Sequence, residues 1–165
     1  MKRAVVVGAG GYAGRELCDL IERHPALELA AALRSRPAVD IHLEAGDASA
    51  HGGGRAIEAF VEARVDGADV VFFCTPAGRA AALARAALDA GAKVIDLSAD
   101  FRLKDVDVYA ATYGAKHPAP DLLDVAVYVL TEHARAALPS ARLVANPGCY
   151  PTAVLLPLLP LLDGG

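Results

Sequence analysis

The segment Gly8-Ala9-Gly10-Gly11-Tyr12-Ala13-Gly14 constrains this chain most, because of what stands on either side of it. Before it, Val5-Val6-Val7 is an unbroken β-branched run, the pattern of a strand buried on both faces; after it, Ala13, Leu17, Leu20 and Ile21 recur at helical spacing. Strand, glycine turn, helix is the context in which G-x-G-x-x-A and G-x-x-G-x-x-G, both satisfied here, hold a dinucleotide. Glycine is required because backbone N–H groups must approach a pyrophosphate closely, while the helix N-terminus supplies partial positive charge. Gly8, Gly10, Gly11, Tyr12, Ala13 and Gly14 are therefore candidate cofactor contacts. The plain alternative is a tight turn that binds nothing.

Pro25 ends the first helix, and Glu28 to Leu33 reads as a second strand, completing a βαβ unit. An acidic residue at the end of such a strand holds a ribose 2′-hydroxyl, but this strand runs into Arg34-Ser35-Arg36. A guanidinium pairs bidentately with a 2′-phosphate that a carboxylate would repel, so these three residues point to NADP. Two solvated surface arginines are the alternative, and Arg36→Ala tests it: NADPH binding should suffer much more than NADH binding.

The alternation continues. Val70 to Cys74 and Lys93 to Leu97 read as strands flanking an Ala/Leu helix, Arg79 to Ala90, closed by Gly91. Ala126 to Leu130 and Arg142 to Ala145 read as two more strands, with a helical stretch near Glu132 to Leu138 between them, and a last helix begins around Cys149. Strands and helices in this order imply an α/β fold with a doubly wound, mostly parallel sheet, a Rossmann-like domain over residues 1–145. Residues 37–54 show no period, and Gly52-Gly53-Gly54 reads as a mobile loop.

Composition excludes several classes. With 55% hydrophobic and 22% charged residues the chain is not disordered, and its net charge of -4 with no Lys/Arg stripe argues against a nucleic-acid partner. Lys2-Arg3 and the run after them resemble the start of a signal peptide, but Gly8, Gly10 and Gly11 interrupt it. Ala153 to Leu162, the most apolar stretch, is too short to span a bilayer and contains Pro157 and Pro160, which should kink it. Cys18, Cys74 and Cys149 show no metal-ligand or disulfide spacing, so a reducing cytoplasm and no metal are expected.

Cys149 differs from the other two, which read as small buried hydrophobes. In Asn146-Pro147-Gly148-Cys149-Tyr150-Pro151-Thr152-Ala153 it follows a strand and opens a helix, where the N-terminus favours a thiolate and free N–H groups can hold a developing oxyanion. Pro151 suits a first turn, where its missing N–H has no partner to lose. Context alone leaves a reactive thiol and a structural one equally open.

Four blocks together carry a resemblance: the glycine turn at 8–14, Val-Ile-Asp-Leu-Ser-Ala-Asp-Phe-Arg-Leu at 94–103, Tyr113-Gly114 with His117-Pro118, and the cysteine segment at 146–153. The chain closely resembles the N-acetyl-gamma-glutamyl-phosphate reductases of arginine biosynthesis over nearly its whole length. The resemblance implies NADPH-dependent reduction of an acyl phosphate to a semialdehyde with release of phosphate, through a thioester on Cys149. It also implies Ser98 beside the cofactor and Arg102 near the substrate's anionic groups. A loop-capping serine and an ion-paired or solvated arginine are the alternatives.

The family continues for about as long again into a second α/β domain, so residues 146–165 are expected to be the truncated start of a substrate and dimerisation domain. The acid/base histidine is expected beyond it, since none of His24, His42, His51, His117 and His133 falls in the matching motif. Thr75-Pro76-Ala77-Gly78 stands where the family usually has Leu-Pro-His-Gly, and Val129-Leu130-Thr131-Glu132 where it has Gly-Leu-Pro-Glu. Expected partners are a small acyl-phosphate substrate and, for the complete enzyme, further copies of itself. Without its second domain the last helix should expose an apolar patch. The competing readings are another acyl-phosphate reductase acting on a different acid, and an inactive NADP-binding module.

Overall fold

The computed structural model describes residues 1–35 and 55–164. Arg36 and the Gly52-Gly53-Gly54 segment lie outside the described residues. Seven strands form one sheet: β1 (Lys2–Val7), β2 (Leu27–Arg34), β3 (Glu58–Ala59), β4 (Val70–Phe73), β5 (Lys93–Asp96), β6 (Ala126–Tyr128) and β7 (Leu143–Ala145). Their order is β3-β2-β1-β4-β5-β7-β6, and every pairing is parallel. The helices are α1 (Tyr12–Glu22), α2 (Arg79–Asp89), α3 (Val106–Tyr113), α4 (Thr131–Ala134) and α5 (Cys149–Asp163).

A parallel sheet must be covered on both faces, and alternation along the strands divides the core accordingly. Val5, Val7, Val71, Phe73 and Val94 pack with Ala80, Ala81, Ala84 and Ala87 of α2 and with Phe101, Leu122 and Leu123. Ala4, Val6 and Ala32 face the other way, onto Cys18 and Ile21 of α1. The alanine face of α2 explains its short-residue sequence: small side chains let the helix lie close to the sheet. On the α1 side, cover thins beyond β1, where Val70, Ile95 and Val144 are half-buried beside a cavity of about 170 Å³ reached by Leu138.

The sequence reading of a mostly parallel, doubly wound sheet holds, with the described strands wholly parallel. The chain winds outward from β1 through β2 to β3, then returns to place β4 on the other side of β1. That reversal puts a crevice at the carboxyl ends of β1 and β4, where open α/β sheets bind ligands.

α5 is the exception to this packing. None of its described side chains is buried, and Tyr150, Val154, Leu161 and Leu162 are exposed. The helix runs through Pro157 and Pro160. Each removes one intrahelical donor, and on an exposed helix water can serve the freed carbonyls.

Candidate active site

The β1–α1 turn is built by close backbone approach. Gly8 adopts φ +91°, and a Cβ there would lie 2.2 Å from the Cys74 carbonyl oxygen at the end of β4. A Cβ at Gly14 would lie 2.2 Å from the Gly8 carbonyl oxygen, so glycine lets α1 start directly against the turn. Gly10 is different, with nothing within 4 Å of its would-be Cβ. Gly10, Gly11, Tyr12 and Ala13 are exposed, and among the described residues the amides of Gly10, Tyr12, Ala13 and Gly14 have no acceptor. No side chain caps α1, and no acidic residue stands in its first turn. The turn is thus an open cluster of donors at the positive end of a helix, and it fits an anion such as a pyrophosphate.

The other helix N-termini along this edge divide into closed and open. Asp100, fully buried, accepts hydrogen bonds from the Gly78 amide at 2.6 Å and the Ala81 amide at 2.9 Å, capping α2 from a different loop. The Tyr109 hydroxyl donates to the same carboxylate at 3.3 Å. Asp105 caps α3 through the amides of Asp107 and Val108. α5, like α1, is uncapped: Gly148 is its N-cap without a side-chain bond, and the Cys149 and Tyr150 amides have no acceptor among the described residues. Of these four termini, only those of α1 and α5 are left open to an incoming anion.

Cys149 is the first residue of α5 and is exposed, as the sequence reading requires of a nucleophile. Cys18 and Cys74 are not competitors. Burial pushes the Cys18 thiol above its ordinary range, and burial aided by the neighbouring Cys18 and Asp96 pushes Cys74 up to about 12. Both stay protonated and unreactive at neutral pH.

Ser98 and Arg102 sit in the loop after β5, with their polar atoms engaged inside the protein. The Ser98 hydroxyl donates to Asp96 Oδ2 at 2.9 Å and accepts from the Asp100 amide at 3.2 Å. Asp96 has no solvent exposure, and burial raises its carboxyl to about 6 although Ser98's two hydrogen bonds pull the other way. Arg102 donates through Nε to the Asn146 carbonyl and through Nη2 to the Leu97 carbonyl, each at 2.9 Å. Its third nitrogen, Nη1, lies against Gly148. At the other end of the crevice Arg34 closes β2 with an exposed side chain, and Ser35 follows half-buried.

Sequence reasoning missed Asp100, although its Ser-Ala-Asp context marks a turn, because the helix it caps lies about twenty residues earlier in the chain. It also missed the role of His117. The His117 Nδ1 accepts from the Ala119 amide, so Nε2 carries the proton and donates to the Asp100 carbonyl at 2.9 Å. That ring packs edge-on against Phe101 and Tyr109, and it fixes the Asp100 loop rather than facing the crevice. In the Thr75-to-Gly78 departure, the Thr75 hydroxyl is buried without a partner among the described residues, a cost the usual leucine would not carry.

The family signature described as semialdehyde dehydrogenase, NAD binding domain, matches residues 3–141. The chain belongs to that family. Its curated relatives include the N-acetyl-gamma-glutamyl-phosphate reductases of Halorhodospira halophila, 50% identical over 97% of this chain and 46% of that one, and of Thiobacillus denitrificans, 48% identical over 100% and 48%. The chain therefore spans about half the length of the curated relatives it matches. Among solved structures, aspartate semialdehyde dehydrogenase II of Vibrio cholerae superposes with a TM-score of 0.62 at 21% identity, over 99% of this chain and 47% of that one. The Candida albicans aspartate semialdehyde dehydrogenase determined with NADP gives 0.59 at 18% over 99% and 47%. At such identities these structures establish the fold alone.

Proposed function

We propose that this chain is the cofactor-binding half of an N-acetyl-gamma-glutamyl-phosphate reductase, with residues 1–145 as its nucleotide domain and 146–165 opening the second. The observation that carries the reading is the pair of open helix N-termini on one sheet edge. β1 and β7 are separated by β4 and β5, so at a spacing of about 4.8 Å per strand the two termini stand roughly 14 Å apart. The amides of Gly10, Tyr12, Ala13 and Gly14 would hold a dinucleotide's pyrophosphate, and Cys149 stands at the second open terminus on the same edge.

The Gly8-to-Gly14 turn would hold the pyrophosphate, while Arg34, Ser35 and Arg36 would receive the 2′-phosphate of NADP. Ser98 shapes the loop against the nicotinamide end, and Arg102 offers Nη1 to the substrate's anionic groups. Cys149 attacks the acyl carbon of N-acetyl-glutamyl 5-phosphate; the Cys149 and Tyr150 amides hold the oxyanion, and the C–O bond to phosphate breaks to leave a thioester. When bound, reduced nicotinamide supplies the hydride that converts the thioester to the semialdehyde, returning the thiolate. The complete protein works as a homo-oligomer in a reducing cytoplasm.

The test is to trap the intermediate. Mixed with the acyl phosphate without NADPH, quenched in acid and digested, the protein should carry an N-acetylglutamyl adduct on the Cys149 peptide, removable by hydroxylamine and missing in Cys149→Ser. An adduct on Cys18 or Cys74, or phosphate release that survives Cys149→Ser, would overturn the assignment.

A further inference from the structure

The ladder between β5 and β7 shows how the nucleophile is held. Val94 donates to the Arg142 carbonyl, and Asn146 donates to the Asp96 carbonyl at 2.8 Å. In a parallel ladder stepping by two residues, the next rung would run from the Ser98 N–H to the Asn146 carbonyl. That rung is missing, because the Ser98 N–H turns back onto Asp96 Oδ1 at 2.9 Å. Arg102 Nε takes its place on the Asn146 carbonyl, while Nη2 binds the Leu97 carbonyl. One planar guanidinium therefore continues the ladder past the end of its strands and ties the β5 loop to the residue three before Cys149.

Gly148 is the notch that admits this clasp. Its φ of −68° is open to any residue, so backbone conformation does not demand glycine there. A Cβ would instead meet Arg102 Nη1 at 2.9 Å, with Pro151 Cδ next at an ordinary 3.5 Å. Such a contact with the tip of a long side chain is normally relieved by moving it, but this tip is pinned by two hydrogen bonds. We propose that Arg102, apart from the substrate contact proposed for its Nη1, is through Nε and Nη2 a positioning residue for Cys149, a guanidinium clasp seated against Gly148 that fixes the cysteine turn relative to the β5 loop. The proposal rests on the reading of Cys149 as the nucleophile and adds how its turn is aimed.

The test uses acetyl phosphate as a small acyl phosphate and follows acylation of Cys149 by mass. Alkylation by neutral iodoacetamide and the melting temperature serve as controls. Arg102→Ala and Gly148→Ala should each lower the saturating acylation rate by about 10- to 100-fold, the scale of a misplacement near 1 Å. Alkylation, which needs no such alignment, should stay within about threefold. Arg102→Lys should not rescue, because a point charge cannot span two carbonyls. In the Arg102→Ala background the added Gly148→Ala should cost nothing further, since the atom it strikes is gone. Restoration by lysine, a wild-type rate in Gly148→Ala, or additive penalties would each overturn the clasp.

If wild-type Cys149 is not acylated, the nucleophile reading fails on its own, and hydrogen exchange still decides the clasp. The Asn146 amide should exchange faster in Arg102→Ala and Gly148→Ala than in wild type. Equal exchange refutes it.

Discussion

Two glycines of one turn should respond to the same substitution in opposite ways. An alanine Cβ at position 14 would sit 2.2 Å from the Gly8 carbonyl oxygen and 2.8 Å from Ala9 Cα, and both obstacles are backbone. No rotamer change relieves that, so the cost belongs at the upper end of overpacking, about 3 kcal/mol. Alanine returns about 1 kcal/mol of helix propensity. The net loss of about 2 kcal/mol should lower the melting temperature by about 4–8 °C in a chain of this size. At position 10 the added methyl meets nothing, and the backbone is outside the left-handed region. Gly10→Ala should therefore leave stability unchanged or raise it by about 0.4–1 kcal/mol through the unfolded state. It should nevertheless weaken NADPH, because the methyl occupies the space a phosphate needs; losing one charge-assisted hydrogen bond of about 1.5–3 kcal/mol predicts roughly 10- to 100-fold in Kd. Thermal melts without nucleotide and NADPH fluorescence titrations read the two effects separately. Wild-type NADPH affinity in Gly10→Ala, or a wild-type melting temperature in Gly14→Ala, would refute the division between a glycine kept for the ligand and one kept for packing.

Asp96 gives a pH signature. Its carboxyl is raised from 3.8 to about 6, so the folded state holds the proton more tightly. Stability from this group is complete below pH 3.8 and is lost as pH rises through 6, on the order of 3 kcal/mol in all. Urea unfolding of wild type minus Asp96→Asn should fall by that order between pH 4 and 7, and a flat or rising difference contradicts the burial argument. For the cofactor, Arg34→Ala and Arg36→Ala should each weaken NADPH by about 10-fold or more while leaving NADH nearly untouched; equal losses defeat the 2′-phosphate assignment.

The sheet and its glycine turn were readable because their signals are local. Val5-Val6-Val7 is buried on both faces and needs no alternation, Val70 to Phe73 is an unbroken apolar run, and the contact that demands glycine at position 14 comes from Gly8, six residues away. β3 was not readable, since the two residues Glu58–Ala59 become a strand only by pairing with Leu33 and Arg34. α3 went unread although Asp105 and Gly114, its two caps, were signals in plain view; Val106 and Val108 are exposed, so no apolar stripe marked it. That Cys149 opens a helix was legible from its flanking glycine and prolines. What holds it was not: the clasp of Arg102 on Asn146 joins residues 44 apart, and the Asp100 cap on α2 reaches 22 residues back. Those links belong to the folded ends of neighbouring strands, where sequence distance carries no information.

In the proposed enzyme one crevice holds a dinucleotide by the opening turn and presents its nicotinamide to Cys149. A crystal structure with NADP bound measures this as the distance from the nicotinamide C4 to the Cys149 sulfur. With a thioester carbon between them at hydride-transfer range, that distance should be about 5 Å or less, with the pyrophosphate on the amides of Gly10, Tyr12, Ala13 and Gly14. A pyrophosphate seated elsewhere, or a sulfur turned out of the crevice beyond reach of that ring, contradicts it.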